Sequence, residues 1–469
     1  MVKQTVLFEL QAISPLDGRY RQRLQDLASL CSEEALIKQR VFVELQYLRF
    51  LSEEGVIPKL SQKEKRALKD IQENVSSASA IRVKEIEEQI KHDVKAVEYF
   101  IQEELEKRSM KRNQFIHIGL TSEDTNAIAY GIMLSEVLEQ VLIPIIQKLV
   151  FTLNDMAFAN KDVVMLARTH GQPAVPTTFG KELMVFAMRL HEQLLPLSNF
   201  VFEAKMTGAV GNFNAHVAAF PREDWKKLSS TFIASFGLRP NLFTTQILPA
   251  ESYVEFFQIL GRINMILLDF TQDMWRYISD EYVLQKMEEH QVGSSTMPQK
   301  INPIEFENCE GNLGLANALL QLFANKLPIS RLQRDLSDST VKRNIGPALG
   351  YCVLAYTSCL RGLNKITPNT PKMLQDLEQH WEIIAEGVQT ILRATGDEQA
   401  YEKLKTFSQG KKLTKEDFIT FIFSLKIHSQ IKKKLLQLSP ATYVGIASKL
   451  VTEGYKKIQG ATYGKRTKI

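Results

Sequence analysis

From Phe256 to Tyr277 the chain places an apolar residue at every fourth or third position: Phe256, Leu260, Ile263, Leu267, Phe270, Met274 and Tyr277. On a helix these positions fall along one stripe, because a 4-3 alternation averages 3.5 residues against about 3.6 per turn. A strand would alternate with period two, and such alternation is scarce anywhere in the sequence. A second series runs through Leu183, Ala187, Leu190, Leu194, Leu197 and Val201, and a looser one occupies Ala127 to Ile145. Three long stripes can only be covered by one another, so the pattern predicts an all-α chain built on a bundle of long helices. The stripes are core packing, not cofactor sites. Pro144 and Pro196 fall inside two of them, where a missing N–H predicts a kink.

The flanking regions differ. The first hundred or so residues carry more charge and shorter helical patterns, at Ser32 to Leu51, Gln62 to Val75 and Lys84 to Lys107. After "TPNTP" (Thr367 to Pro371) the chain again becomes charged and punctuated. The expected organisation is an N-terminal helical domain over 1–111, a central long-helix bundle over 112–365 and a C-terminal helical domain over 366–469. With 469 residues, 44% of them apolar, the chain is long enough for that many cores. A net charge of +5 with acids and bases interspersed gives no nucleic-acid footprint. The basic C-terminal tail reads as a solvated end. The four cysteines (Cys31, Cys309, Cys352, Cys359) form no CxxC pair and no zinc spacing. With no signal-peptide core in "MVKQTVLFELQAISPLDGRY" and no uninterrupted apolar span, the expected location is the reducing cytoplasm.

Four polar segments interrupt this pattern: "HDVKAVEYF" from His92, "GLTSEDTNA" from Gly119, "RTHGQPAVPTTFGKE" from Arg168, and "HQVGSSTMPQKINPIEFENCEGN" from His290 to Asn312. Thr121-Ser122-Glu123-Asp124 heads an apolar series. It reads equally as a helix cap and as a seat for a carboxylate or phosphate on free N–H groups. His170 lies in a loop and off any apolar stripe, so it is a candidate acid or ligand. His92 has two readings, a helix edge or a ligand. Asn302-Pro303-Ile304-Glu305 is a helix start, with Asn at the cap, Pro at the first position and Glu at the third. That accounts for nothing before it. Gly293 to Thr296 is small and flexible, and Lys300 puts a cation near the positive end of a helix, which suits a bound anion.

Removing a proton beside a carboxylate builds up a dianionic intermediate, which requires cations and donors around that carboxylate. Lys300, Asn302 and loop N–H groups could supply them. A base and an acid are also needed. A serine can serve as base where a cation, a helix terminus and exclusion of water favour its alkoxide, and a glycine-flanked loop could deliver it after binding. The histidine segment would supply the acid. The residues alone thus point to an anion-handling helical enzyme suited to acid–base elimination.

"GSSTMPQKINP" (Gly293 to Pro303) resembles the signature of the fumarase/aspartase superfamily, mostly homotetrameric all-helical lyases that release fumarate by anti β-elimination. Within it, the chain resembles the adenylosuccinate lyase family of the bacterial purine pathway nearly end to end. The segments that carry this are "SPLDGRY" (Ser14 to Tyr20), "HDVKAVEYF", "TSED", "RTHGQPAVPTTFGKE", "GAVGNFNAH" (Gly208 to His216) and "SRLQRDLSDSTVKRN" (Ser330 to Asn344). The resemblance implies Ser294 as general base at the succinyl Cβ and His170 as general acid to the departing nitrogen. It implies that His92 positions the substrate and its phosphate side, that Thr121, Ser122, Lys300 and Asn302 hold the succinyl carboxylates, and that Lys91, Asp93 and Ser295 are further substrate contacts. Gln246 would contact the succinyl and base region. Arg19, Tyr20, Arg334, Ser339, Thr340 and Arg343 would take the nucleotide, and Asn308 would be a further contact. Lys91 stands where close relatives often carry Asn, and Gln299 where they often carry His.

Two reactions at one site are implied: adenylosuccinate to AMP plus fumarate, and SAICAR to AICAR plus fumarate. The resemblance further implies no metal, no organic cofactor, and a homotetramer in which each site draws on three chains. A superfamily lyase acting on argininosuccinate or a smaller amino acid is the nearest rival, and it would leave the arginines at 19 and 334 to 343 without a phosphate. A catalytically silent helical scaffold is the other, and His170, Ser294 and Lys300 together speak against it.

Overall fold

The computed structural model describes residues 2–286, 296, 297 and 299–463. Long helices form its centre: Ser122–Ala159, Phe179–Ser198, Glu251–Ser279, Ile304–Lys326 and Ile345–Asn364 pack side by side. Phe256, Leu260, Ile263, Leu267, Phe270 and Met274 all have zero exposure, as do Leu183, Ala187, Leu190, Leu194 and Leu197. Each large side chain among them contributes on the order of 1.5–3 kcal/mol. Rings interlock across the helices, with Phe186 on Phe270 at 5.2 Å and Phe257 on Phe323 at 5.1 Å between centroids. Val201, the last residue of the second stripe, is exposed because its helix stops at Ser198.

Pro144 does not break its helix. A π-helical segment, Leu138–Leu142, joins Ser122–Val137 to Ile143–Ala159 just ahead of it. The wider turn is where a ring without an N–H fits at least cost. The resulting run Ser122–Ala159 is long and apolar enough to cross a membrane, yet most of its apolar stretch is buried in the fold, as in a core helix.

Two local expectations are corrected. Lys84 to Lys107 is not one helix: Lys91 turns left-handed (φ 56°) at the end of Ser77–Ile90, and His92 caps a new helix, Asp93–Lys107. The His170 segment is not a loop. Val164–Thr169 and Gln172–Thr178 pair antiparallel, and His170 and Gly171, both at positive φ, form the two-residue turn between them. Two successive positive φ values match the right-handed twist of the flanking strands. The prolines at 173 and 176 hid the second strand, because proline cannot donate to a ladder and is tolerated only at an edge.

The hairpin packs on Thr370–Glu378, and its Leu166 joins a smaller apolar cluster formed by residues from Leu377 to Leu435. The last helix, Ala447–Gln459, returns to the main bundle, where Val451 and Ile458 are buried. Val283–Gln285 pairs with Ile366–Pro368 and ties the end of Glu251–Ser279 to the end of Ile345–Asn364. The bundle therefore has two distinct ends. One holds the starts of Ser122–Ala159, Glu251–Ser279 and Ile345–Asn364; the other holds the hairpin and the start of Ile304–Lys326.

Candidate active site

At the first end, Thr121 opens the long helix and its N–H donates to Asp124 Oδ2 at 2.9 Å. Asp124 is fully buried and also accepts from Lys205 Nζ (2.6 Å) and from the backbone N–H groups of Thr207 (2.9 Å) and Gly208 (3.1 Å). The "GAVGNFNAH" segment is thereby the scaffold of this helix start. Gly119 (φ 75°) lies so close to the buried His216 ring that a Cβ there would sit 2.8 Å from it. Burial lowers the His216 pKa and keeps the ring neutral. Held this way, Thr121 and Ser122 stay half-exposed at the helix start, where Thr121 and Asp124 form a capping box.

Beside them, Glu123 is buried and lies 3.3 Å from Arg334 Nη2 and 3.6 Å from Lys342 Nζ. Arg334 Nη1 donates to Gln246 Oε1 at 3.1 Å. Ser339 and Lys342 belong to the short helix Ser337–Lys342; Arg343, just after it, and Thr340 are exposed. Burial opposes the Lys342 charge, but Glu123 and Asp338 outweigh it and hold the ammonium above the usual lysine range. Asp93 pairs with Arg40 (2.8 Å), whose Nε donates to Asn126 Oδ1 (2.9 Å) on the same long helix. His92 accepts from the Lys95 N–H through Nδ1 (3.2 Å) and leaves its ring half in solvent. Lys91 turns outward to Glu88. One end of the bundle thus gathers Asp93, Thr121, Ser122, Gln246, Arg334, Ser339 and Arg343.

His170 is exposed at the hairpin tip, at the other end. Lys300 is exposed in the turn before Ile304–Lys326, Asn302 is half-buried, and Asn308 faces outward on that helix. The helix starts one residue later than the sequence implies, with Pro303 at the boundary. Glu305 does not bond back to a cap but takes Arg361 in a two-pronged pair (3.1 and 2.9 Å). Arg19 is exposed and Tyr20 half-buried; Arg23 anchors that segment to Ser358 on Ile345–Asn364 (3.2 Å). Ser294 and Ser295 lie outside the described residues. Glu251–Ser279 spans the two ends, and its 29 residues correspond to roughly 40 Å. His170 and Lys300 are on one side of that span and Thr121 and Arg334 on the other, so a single chain does not bring them together.

Sequence reasoning missed four groups. Glu123 reads as a helix-capping acid and Lys342 as one more surface charge in "STVKRN", yet the buried Glu123 and the half-buried Lys342 pair at the centre of the cluster. Arg40 lies in an unremarked charged helix. His117, at positive φ four residues before Thr121, sits 2.7 Å from the fully buried Glu44, which also accepts from Thr125 Oγ1 at 2.6 Å. The spacing of neither residue singles it out.

Comparison with known proteins follows the same outline. Residues 18–317 match the family described as Lyase, and residues 330–444 match the family described as Adenylosuccinate lyase C-terminal. The adenylosuccinate lyase of Legionella pneumophila is 45% identical over 450 residues, covering 95% of this chain and 99% of the relative. The chain belongs to the adenylosuccinate lyase family. The Escherichia coli adenylosuccinate lyase is 42% identical over 452 residues, again 95% and 99%. More distant solved structures share the fold. A fumarate lyase from Mesorhizobium sp. BNC1 has a TM-score of 0.73 at 17% identity, over 93% of this chain and 98% of its own. The 3-carboxy-cis,cis-muconate lactonizing enzyme from Pseudomonas putida has 0.76 at 19%, over 97% and 99%. In this member of the adenylosuccinate lyase family, the cluster at the first end draws on both matched segments. Thr121 and Gln246 come from one and Arg334, Ser339 and Arg343 from the other.

Proposed function

We propose that the chain is a lyase that eliminates fumarate from adenylosuccinate, giving AMP, and from SAICAR, giving AICAR. The observation that carries this is the cation set Arg334, Lys342 and Arg343 standing beside the Thr121–Ser122 helix start, in a chain of this family. A nucleotide phosphate needs such cations, with arginine gripping it in two places, and a carboxylate needs the helix N–H groups and hydroxyls.

In the reaction, Ser294 removes the proton from the succinyl Cβ, and Lys300 and Asn302 stabilise the charge that gathers on the adjacent carboxylate. The C–N bond then breaks, the carbon–carbon double bond of fumarate forms, and His170 protonates the departing nitrogen. His92, capped onto its own helix through Nδ1, presents the other edge of its ring to the substrate. Arg19 and Tyr20 complete the nucleotide side.

Because acid and substrate seat lie roughly 40 Å apart along the bundle, the working unit is a homotetramer in which different subunits contribute the two ends to each site. Exposed apolar residues on the central helices, among them Met265, Leu315 and Leu322, suit that assembly. The same reading divides the chain into units at 111/112 and 365/366 and places it in the cytoplasm.

The test is fumarate release measured with adenylosuccinate, SAICAR and argininosuccinate in parallel. Turnover of the first two and not the third is expected. Cleavage of argininosuccinate with adenylosuccinate untouched would overturn the reading.

A further inference from the structure

We propose that Glu123 is a positioning residue: its buried carboxylate fixes Arg334 and Lys342 at one spacing from Thr121 and Ser122, so that the cation end and the carboxylate end of the seat form a single rigid unit. The inference rests on the proposed reaction and extends it to a residue that does not touch the reacting atoms.

Glu123 follows Ser122 directly in the first helical turn and points inward, 5% exposed. Its Oε1 accepts from Asn126 Nδ2 at 2.8 Å and lies 3.3 Å from Arg334 Nη2, while Oε2 lies 3.6 Å from Lys342 Nζ. Lys342 is held from the other side by Asp338 at 2.8 Å. Asn126 passes the network on to Arg40 (2.9 Å), and Arg40 to Asp93 (2.8 Å), the residue after His92. Three segments far apart in sequence are thus joined by one polar chain, buried at Arg40, Asn126 and Glu123, running from the Ser337–Lys342 helix through the Thr121 helix start to the His92 cap.

The charges in this chain balance. Arg40, Arg334 and Lys342 stand against Asp93, Glu123 and Asp338, of which Arg40, Glu123 and Asp338 are buried and the others half-buried, so no buried charge in it is left without a counter-ion. Burial pushes the Glu123 carboxyl up, but Lys342 and Arg334 more than offset it, so it stays ionised. One donor is left over: Arg334 Nε is buried and has no partner among the described residues. Its Nη1 donates to Gln246 and its Nη2 pairs with Glu123, which aims the guanidinium.

If Glu123 only stabilised the fold, its loss would weaken both ends of the substrate alike. If it positions the cations, the loss is confined to the phosphate end. The experiment is calorimetric binding of AMP and, separately, of fumarate to the wild-type protein, Glu123→Gln and Glu123→Asp, with KM and kcat for adenylosuccinate alongside. Glu123→Gln keeps size and shape but not charge. It should weaken AMP binding and raise KM by at least about tenfold, leave fumarate binding within about twofold, and move kcat much less than KM. Glu123→Asp keeps the charge and should recover part of the AMP affinity even if the Gln variant folds poorly. Equal weakening of AMP and fumarate, or unchanged AMP binding in both variants, overturns the proposal. Failure of the wild-type protein to release fumarate from adenylosuccinate would instead overturn the reaction on which it rests.

Discussion

Lys205 and Asp124 form an ion pair sealed from solvent, with Nζ 2.6 Å from Oδ1 and both side chains fully buried. Burying two charges is costly unless their other hydrogen bonds are also met. Here Asp124 takes three backbone N–H groups in addition, from Thr121, Thr207 and Gly208. The pair fixes where the long helix begins, and with it the position of Thr121 and Ser122. A stabilising contact in the core therefore sets the geometry of the proposed substrate seat.

Lys205→Met leaves a buried carboxylate without its cation and should destabilise the protein by about 3–5 kcal/mol. The double variant Lys205→Met/Asp124→Asn removes both charges and should recover part of that loss, giving a clear coupling energy. Urea unfolding of the two single variants and the double variant measures this. Additive losses would mean that the pair is not the organising contact.

His117 predicts a pH dependence. Burial opposes its charge, but Glu44, with further help from Glu98 and Asp124, raises its pKa above the usual histidine value. Glu44 lies on Glu33–Glu53, Glu98 on Asp93–Lys107, where it also pairs with Lys95 (2.6 Å), and Asp124 on the long helix. A group whose folded pKa is raised binds its proton more tightly in the native state. Its stabilisation is complete below the unfolded value of about 6.5 and is lost as pH rises through the folded value. The stability difference between wild type and His117→Gln should therefore shrink from pH 6 toward pH 9, read as the gap between their thermal midpoints. A gap independent of pH would mean that folding does not raise the His117 pKa, and a gap that widened with pH would mean that the ring is held neutral in the folded protein.

The helical stripes were legible because a long apolar period survives any local detail: every stripe position from Phe256 to Met274 is buried as the spacing requires. The hairpin was not legible, since Pro173 and Pro176 removed the donors by which a strand is normally recognised and left His170 looking like a loop residue. Single turns such as Lys91 also escape periodicity, because one left-handed residue separates two helices of the same pattern. The catalytic candidates stood out as polar breaks in an apolar pattern. Their supports did not: Glu123, Lys342, Arg40 and His117 gain their character only from partners distant in sequence. The division of the candidates between two ends of the bundle was likewise invisible, because order along the chain carries no distance.

That division leads to the last prediction. His170→Ala should lower kcat by on the order of a hundredfold or more, the usual worth of a positioned acid, while leaving the fold intact because the ring is exposed at a turn. Arg334→Ala should be inactive for a different reason, loss of nucleotide binding at the opposite bundle end. If each site takes these two residues from different subunits, mixing the two inactive variants and allowing subunits to exchange assembles some sites with neither defect. For random mixing of equal amounts, roughly a quarter of sites would be intact. Activity should rise from near zero toward that fraction on mixing under mild dissociating conditions, and should not rise for either variant alone. Two variants of the same end, His170→Ala mixed with Lys300→Ala, form the informative control, because they recover activity only if those two residues also come from different chains. No recovery from the His170→Ala and Arg334→Ala pair, with exchange verified by mass, would place both residues in the site from one chain, which a separation of roughly 40 Å along the bundle does not allow without a different fold.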